Sequence, residues 1–307
     1  MKKLIVFAAG LLLSVAALAQ TKEIEYSFSQ FSKVTAENDF EVSLLVNTDG
    51  VYKVSLQVEA PYAEFVSAGV KNGGLEISLD EKSVPSDLKK QYKGKTPVFK
   101  AVVTMPAPPK EINIKDKVII NAVWPLELVD AMTINASDNA VVKPATINGD
   151  LLYINLDKKA TADIAFTGKK VTVNGSGYSQ LNMSAQADDV DIALNAGADA
   201  TVKLDTQTLE YTTKGTSKSV LNGIAELASY SINGSSSVNA INLESNEANI
   251  VMSGLCSLTE AATENVKVSI SGGANLTFDN NPTFEIDNVK NSSIVRYTSK
   301  DKDKEKK

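Results

Sequence analysis

Histidine is absent from this 307-residue chain, and cysteine and tryptophan occur once each, at Cys256 and Trp124. Without histidine there can be no Ser-His-Asp triad, no His-paired cysteine nucleophile and no His-liganded zinc. A single cysteine cannot form an internal disulfide. Cys256, in the segment SGLCSL, is therefore interpreted as a small buried apolar residue.

Long apolar runs are absent after the first twenty residues, which predicts a chain that does not span a membrane. The start itself reads MKK, then LIVFAAGLLLSVAAL, then the small residues of ALAQ. This pattern is typical of a signal peptide over residues 1–19, cleaved after Ala19. A retained membrane anchor is the alternative, and the lack of a cysteine after the cleavage site argues against a lipoprotein. The sequence predicts export to the periplasm, the outer surface or the medium.

Positive charge is in the minority. The chain has 31 Lys and Arg, and removal of Lys2 and Lys3 leaves 29 against 37 Asp and Glu, a mature formal charge of −8. This balance argues against a nucleic-acid partner, because binding to phosphates requires clustered cations. Residues 298–307 alternate lysines with acids, which predicts a charged, disordered tail.

What the chain does have is a repeat of small corners between alternating apolar and polar runs. Successive corner markers are separated by 20, 19, 21, 19, 19, 20, 18 and 18 residues. The markers are Ala136, Leu156, Gly175, Ala196, Gly215, Gly234, Gly254, Gly272 and Lys290. A period near 19 is too short for helical repeats or propeller blades. It is long enough for three short strands and three bends, which make one rung of a coil.

The expected fold is therefore all-β, a single-stranded β-helix (solenoid) with rungs of about 19 residues in right-handed form. Asparagines precede five markers, at Asn135, Asn155, Asn174, Asn195 and Asn233, which suits a bend and permits a stacked ladder. A β-sandwich with Asn-Gly hairpins is the alternative. We expect N-terminal β rungs over residues 20–109, with a loop excursion near 81–97, and the β-helical repeat over 110–297.

Several segments, in order, resemble a known family. They are FSKVTAENDFEVSLLV, YKVSLQVEAP, GVKNGGLEISL and VVTMPAPPKEINI, followed by the corners GADATV, GSSSV and SGGANL and the ending NSSIVRY. From about Phe31 to Tyr297 the chain resembles the putative auto-transporter adhesin, head GIN domain family of exported bacterial proteins. The resemblance implies a β-helical fold, export in bacteria of the Bacteroidota type and an adhesin-like role. It supplies no catalytic residues.

Two acidic clusters are candidates for Ca²⁺ binding or for paired carboxylates. They are Glu37, Asp39 and Glu41, and then Asp188, Asp189 and Asp191. Asp189 and Asp191 would point the same way on a strand, but a glycosidase also needs its two carboxyls about 5–9 Å apart beside a cleft. We favour solvated rung edges for both clusters. No metal site, cofactor or catalytic residue is predicted, and no binding residue is assigned.

Aromatic and serine side chains supply the other candidates. Trp124, Tyr178, Tyr211 and Tyr230 would form a sugar-stacking platform or pack in the core and at its edges, and packing is favoured. Ser235, Ser236 and Ser237 form a hydroxyl row in a corner. They are interpreted as turn residues, because no histidine base could activate them.

These observations favour an exported, non-enzymatic, adhesin-like β-helical protein that binds a glycan, an envelope component or another protein. One alternative is a polysaccharide-active β-helix enzyme, a lyase or a hydrolase. Another is a structural envelope protein whose rungs stack end to end. The oligomeric state is left open.

Overall fold

The computed structural model describes residues 21–123, 125–128 and 130–297. Over these residues the chain is a β-solenoid of about ten turns, in which parallel coils of about 19 residues lie one above another. The predicted all-β solenoid is confirmed. The expected signal peptide at 1–19, Trp124 and the expected tail at 298–307 lie outside the described residues.

The strands follow the chain in order. They are β1 (Thr21–Phe28), β2 (Lys33–Ala36), β3 (Glu41–Val46), β4 (Tyr52–Glu59), β5 (Val66–Lys71), β6 (Gly74–Leu79), β7 (Phe99–Met105), β8 (Glu111–Ile114), β9 (Ile119–Ala122), β10 (Leu126–Glu127), β11 (Ala131–Ala136), β12 (Val141–Leu156), β13 (Thr161–Gly175), β14 (Gln180–Ala196), β15 (Asp199–Gly215), β16 (Lys218–Gly234), β17 (Ser237–Gly254), β18 (Ser257–Ser271), β19 (Asn275–Phe278), β20 (Thr283–Lys290) and β21 (Ser293–Arg296). A 3-10 turn covers Ala60–Tyr62, and helix α1 covers Ser86–Gln91. Within the described ranges, no helix is long and apolar enough to cross a membrane.

The repeat strands from β12 to β18 pair in parallel, each with the next. Because the offset is close to 19 residues, inward-facing side chains of successive coils lie directly above one another. One such column, each member at most 2% exposed, runs through Ile134, Ile154, Val173, Ile192, Tyr211, Tyr230, Ile250 and Val268. The alternation of apolar and polar residues thus places one side of every strand in a continuous core.

The first end of the stack is covered by antiparallel strands. β2 and β3 form a coil that pairs with β8 and β9 on one side and with β6 and β7 on the other. Beyond these, β5 pairs antiparallel with β6, β4 with β7, and β1 with β4. Tyr92, which follows α1, donates its hydroxyl to Oε1 of the buried Glu59 at 2.9 Å. The segment between β3 and β7 is therefore tied to this end.

One corner of every coil contains a residue with a left-handed backbone. These residues form a column of Asn38, Asp116, Asp138, Lys158, Gly177, Ala196, Gly215, Gly234, Gly254, Gly272 and Asn291. Five of the nine corner markers read from the sequence belong to this column. The markers Ala136, Leu156 and Gly175 lie two residues before it, and Lys290 lies one residue before it. Along this column the spacing is still 22 residues from Asp116 to Asp138 and 18 from Gly254 to Gly272. Marker choice therefore explains only part of the drift in the sequence spacing, and irregularities in the strands absorb the rest.

Glycine becomes necessary where consecutive corners touch. At Gly254 the backbone φ is +99°, and a Cβ there would lie 2.4 Å from the carbonyl oxygen of Gly234. Positive φ alone does not require glycine, because Lys158 has a φ of 58° in the same column. The close approach of one corner to the next is the additional constraint.

We predict that Gly254→Ala lowers the free energy of unfolding by about 3 kcal/mol or more, because backbone strain and overlap with the preceding corner add. The control is Gly50→Ala, at a φ of +70° with no atom within 4 Å of the added Cβ. That change should cost only about 1–2 kcal/mol. Urea denaturation of both variants measures the difference. Equal losses would show that corner stacking does not constrain this position.

Candidate functional site: an asparagine ladder and its groove

A ladder of side-chain amides crosses the outer surface of successive coils. In it, each Nδ2 donates to the oxygen of the residue on the preceding coil, at 3.5 Å for Asn113 to Thr35, 2.7 Å for Asn135, 2.8 Å for Asn155 and 3.0 Å for Asn174. We call Thr35, Asn113, Asn135, Asn155 and Asn174 the asparagine ladder. Each amide has two N–H groups, and Asn113 also donates to Glu111 Oε1 at 3.0 Å. One N–H of Asn135, of Asn155 and of Asn174 remains for other partners.

The ladder contains three of the five asparagines that the sequence placed in a single column. Asn174 lies level with Ala193, so the ladder ends there. Asn195 lies level with Lys214, two positions further along the strand. Asn233 lies level with Ser253, whose hydroxyl donates to the Asn233 side-chain oxygen. The expectation of one shared column was wrong for Asn195 and Asn233. Up to Gly175 each corner marker lies two residues before the left-handed residue of its coil, whereas from Ala196 to Gly272 the marker is that residue.

A groove of about 380 Å³ runs beside the ladder, and we call it the ladder groove. Its other wall is formed by corner residues, including Glu37, Lys115, Ser137, Asp157 and Ser176. Lys115 Nζ lies 2.8 Å from Glu37 Oε1, and this contact raises the pKa of Lys115. Ser176 donates its hydroxyl to Asp157 at 2.6 Å and lowers the pKa of that carboxyl. The wall is thus polar, and it carries the carboxylate of Asp157 beside the ion pair of Lys115 with Glu37.

Two exposed tyrosines lie close in sequence to residues of the ladder groove. Tyr153 is 39% exposed and lies two residues before Asn155 on the outward side of β12. Tyr178 is 72% exposed and lies in the corner, two residues after Ser176. Its ring lies against Gly197 of the next coil, where a Cβ would be 2.9 Å from Cδ1 of the ring. The sequence indicated Tyr178 as a candidate but not Tyr153. Tyr153 could have been found as an aromatic residue at an outward, normally polar position of the LLYINL alternation.

The other two candidate tyrosines are core residues. Tyr211 and Tyr230 are 1% and 2% exposed, with ring centroids 6.4 Å apart. Tyr211 donates its hydroxyl to Ser219 inside the coil, and burial raises the pKa of both phenols. Neither ring is available for stacking on a sugar, so the packing interpretation holds for this pair.

The first acidic cluster is neutralised by lysines of neighbouring strands. Glu37 pairs with Lys115, Asp39 with Lys117 at 3.4 Å, and Glu41 with Lys100 at 3.9 Å. Exposed pairs of this kind contribute little stability each. They do, however, cancel the charge that a Ca²⁺ site would need.

The second acidic cluster is divided between two surfaces. Asp191 pairs with Lys170 at 2.6 Å, and Asp189 lies level with the same lysine. Asp188 instead lines a separate groove of about 640 Å³, together with Asp205, Glu226 and Glu244. Among the described residues, no group of three or more His, Cys, Asp or Glu side chains is arranged to hold a metal ion.

The serine corner and the cysteine serve the fold. Ser236 is 1% exposed, and its hydroxyl donates to the carbonyl oxygen of Asn233 at 3.2 Å. Ser237 Oγ lies 3.0 Å from Ser257 Oγ on the next coil. Cys256 is 1% exposed, and burial raises the pKa of its thiol. These residues satisfy corner hydrogen bonds and fill space.

A buried carboxyl, which sequence analysis did not single out, lies inside the last coils. Glu260 is 0% exposed and accepts a hydrogen bond from Ser245 Oγ at 2.7 Å, and burial raises its pKa to about 7. A raised carboxyl pKa is one sign of a catalytic acid. Here the side chain is completely buried and lines none of the grooves described above, so we interpret it as part of the core. In the sequence, Glu260 occupies an inward position of the LTEAA alternation, between Leu258 and Ala262, where an apolar residue is expected, and this could have identified it.

Comparison with known proteins gives the family. The sequence model described as putative auto-transporter adhesin, head GIN domain, matches residues 30–200 and 169–282. This chain belongs to that family. The two matched ranges of the GIN domain overlap, as expected for a repeat that can be aligned in more than one register. No curated protein matches the chain.

Two solved structures from Parabacteroides are similar to this chain. A putative adhesin from Parabacteroides merdae ATCC 43184 is 15% identical, with a TM-score of 0.53, over 91% of this chain and 97% of that one. A putative lipid binding protein from Parabacteroides distasonis ATCC 8503 is 16% identical, with a TM-score of 0.49, over 91% and 97%. At these identities the first likeness supports the solenoid fold of the GIN-domain chain and no more.

We predict that the buried carboxyl makes stability depend on pH. Because the pKa of Glu260 in the folded state is about 7, against 4.5 for an unperturbed glutamate, its contribution is fully present below pH 4.5. That contribution is lost as the pH rises to about 7, by about 3 kcal/mol. Glu260→Gln, which stays neutral, should remove this loss. Chemical denaturation from pH 4 to pH 8 measures the difference, and identical pH profiles for the two proteins would contradict it.

Proposed function

We propose that this GIN-domain protein is exported and acts, without catalysis, as an adhesin-like protein that binds an uncharged glycan along the ladder groove. The observation that carries the proposal is the row of amides at one-coil intervals, in which Asn135, Asn155 and Asn174 each have an N–H not used by the ladder. Amides both donate and accept hydrogen bonds, as sugar hydroxyls require. The spacing of coils, about 4.8 Å, lets one extended chain contact several of them.

The exposed tyrosines support a sugar rather than an anionic ligand. Apolar faces of sugar rings pack on aromatic rings, and Tyr153 and Tyr178 offer such rings near the ladder. The lysine that lines the groove, Lys115, is paired with Glu37, and Asp157 adds a negative charge, so the described groove residues offer no cationic surface to a uronic acid polymer. Membership of an adhesin-like family agrees with a binding role.

A catalytic role finds less support. The chain has no histidine, the acids of the first cluster are paired with lysines, and Glu260 is sealed in the core. The groove that contains Asp188 carries four carboxylates and is the best remaining place for an enzymatic function. Turnover of a glycan therefore remains an informative outcome of the binding experiment.

We predict that the mature protein binds members of an array of neutral and uronic-acid glycans, with preference for neutral chains. Tyr178→Ala should weaken that binding at least tenfold, because one stacking face is lost. The matched control is Leu255→Ala, at the equivalent corner position near the last coils and 75% exposed. It should bind as the unmodified protein does.

Three results would contradict this function. They are no binding to any glycan, equal losses for Tyr178→Ala and Leu255→Ala, and shortening of a glycan during incubation. The last result, repeated with and without EDTA, would support the enzyme alternative.

A further inference from the structure

The last coil of the solenoid has a neighbour on one side only. β20 pairs with β18, and β21 pairs with β19. Within residues 21–123, 125–128 and 130–297, no strand pairs with their other edges. The amide of Gly272 donates to the carbonyl oxygen of Lys290 at 3.1 Å, so the backbone groups of Lys290 face the preceding coil. Since successive residues of a strand alternate, those of Val289 face the open edge.

The inward side chains of this coil remain apolar although no strand in the described part of the chain covers them. Ile286 lies level with Val268, and Val289 lies level with Ile270. Val268 and Ile270 are both 0% exposed, whereas Ile286 is 55% and Val289 is 44% exposed. The core columns therefore end at an apolar surface, which together with the free edge of β20 we call the terminal face. An exposed apolar face with an unpaired strand edge favours association.

The two ends of the stack differ in the exposure of their apolar side chains. Strand β1 also has one edge with no partner among the described residues, but its inward Ile24, Tyr26 and Phe28 are partly buried. The first end is covered by the antiparallel strands β1, β4 and β5, as described above. The residues that follow the last coil, 298–307, include eight charged side chains and no aliphatic or aromatic one. They have nothing apolar with which to cover the terminal face.

The sequence of β20 is complementary to itself when reversed. In the antiparallel register that sets Ile286 opposite Val289 of a second copy, Glu285 lies opposite Lys290 (285 + 290 equals 286 + 289). Ile286 and Val289 both point inward although they are three residues apart, because the register of β20 against β18 shifts by one residue at Asp287. The apolar pair then faces inward, the opposite charges lie together on the outer side, and the irregularity lies at the centre of the pairing. A two-fold axis repeats both pairs, so the contact is closed and made by identical surfaces.

We propose that two copies of this protein associate through their terminal faces, by antiparallel pairing of β20 with β20 of the second copy. The pairing extends the sheet across the dimer and joins the two cores. It places the covered ends, where β1 begins, at the far ends of the dimer. This inference is independent of glycan binding, because the ladder groove lies on coils near the other end.

The oligomeric state in solution tests the proposal. Sedimentation or light scattering of the mature chain should give twice the monomer mass. The double change Ile286→Lys with Val289→Lys should give the monomer mass, and because both side chains are largely exposed, its circular dichroism should be unchanged. The control is Val251→Lys, 55% exposed on the side of the solenoid, which should remain a dimer.

Charge exchange tests the register. Lys290→Glu places two like-charged pairs across the axis and should weaken the dimer roughly three- to tenfold. Adding Glu285→Lys exchanges the two charges and should restore it, even though Glu285 also loses its 2.7 Å contact with Lys267. Monomers at all concentrations, open-ended polymers, or a dimer that survives the double lysine change would each overturn the proposal. A dimer that Lys290→Glu leaves unchanged would overturn the register.

Discussion

The contact of each coil with the coil beneath it is the interaction on which this protein depends. A coil of about 19 residues encloses too few side chains to form a core by itself, so its inward residues must continue columns begun by its neighbour. This requirement explains how departures from the period are absorbed. Between β16 and β17 the register shifts by one residue after Val220, and an irregularity in the strand takes up the extra residue. Beyond this irregularity the inward residues again lie level with inward residues of the next coil, because a lasting shift of one residue would turn the apolar side chains outward.

The corners follow from the same constraint. At Asp138 and Lys158 the backbone φ is 63° and 58°, a side chain fits beside this left-handed backbone, and the two side chains pair across the coils at 2.5 Å. At Gly215 φ is 103°, and a Cβ would lie 2.5 Å from the carbonyl oxygen of Ala196, so no side chain fits. The coils are equally close at both kinds of corner, with 2.7 Å from Lys159 N to the carbonyl oxygen of Asp138 and from Ser235 N to that of Gly215. The change from charged to glycine corners is thus a change in backbone conformation.

The period, the strand alternation and the solenoid could be predicted from the sequence, because they are properties of spacing. The position of individual residues across coils was harder to predict. An error of two residues in choosing a corner marker moved Asn195 from the predicted ladder to another column. Tyr211 and Glu260 show a second limit. Both occupy inward positions of an apolar alternation, and pattern alone does not show whether a polar side chain there finds a partner, as Tyr211 does in Ser219. Tyr153, on the outward side, was missed because a single exposed aromatic has no repeat to mark it.

Because the coils are equivalent, the length of the solenoid can change by whole coils. Duplication or loss of one complete coil would lengthen or shorten the body by about 4.8 Å while leaving both ends and the corner chemistry as they were. A descendant of this protein could thereby reach further from a surface, or lie closer to it, without inventing any new contact. The length of the solenoid and its binding surface could then evolve separately.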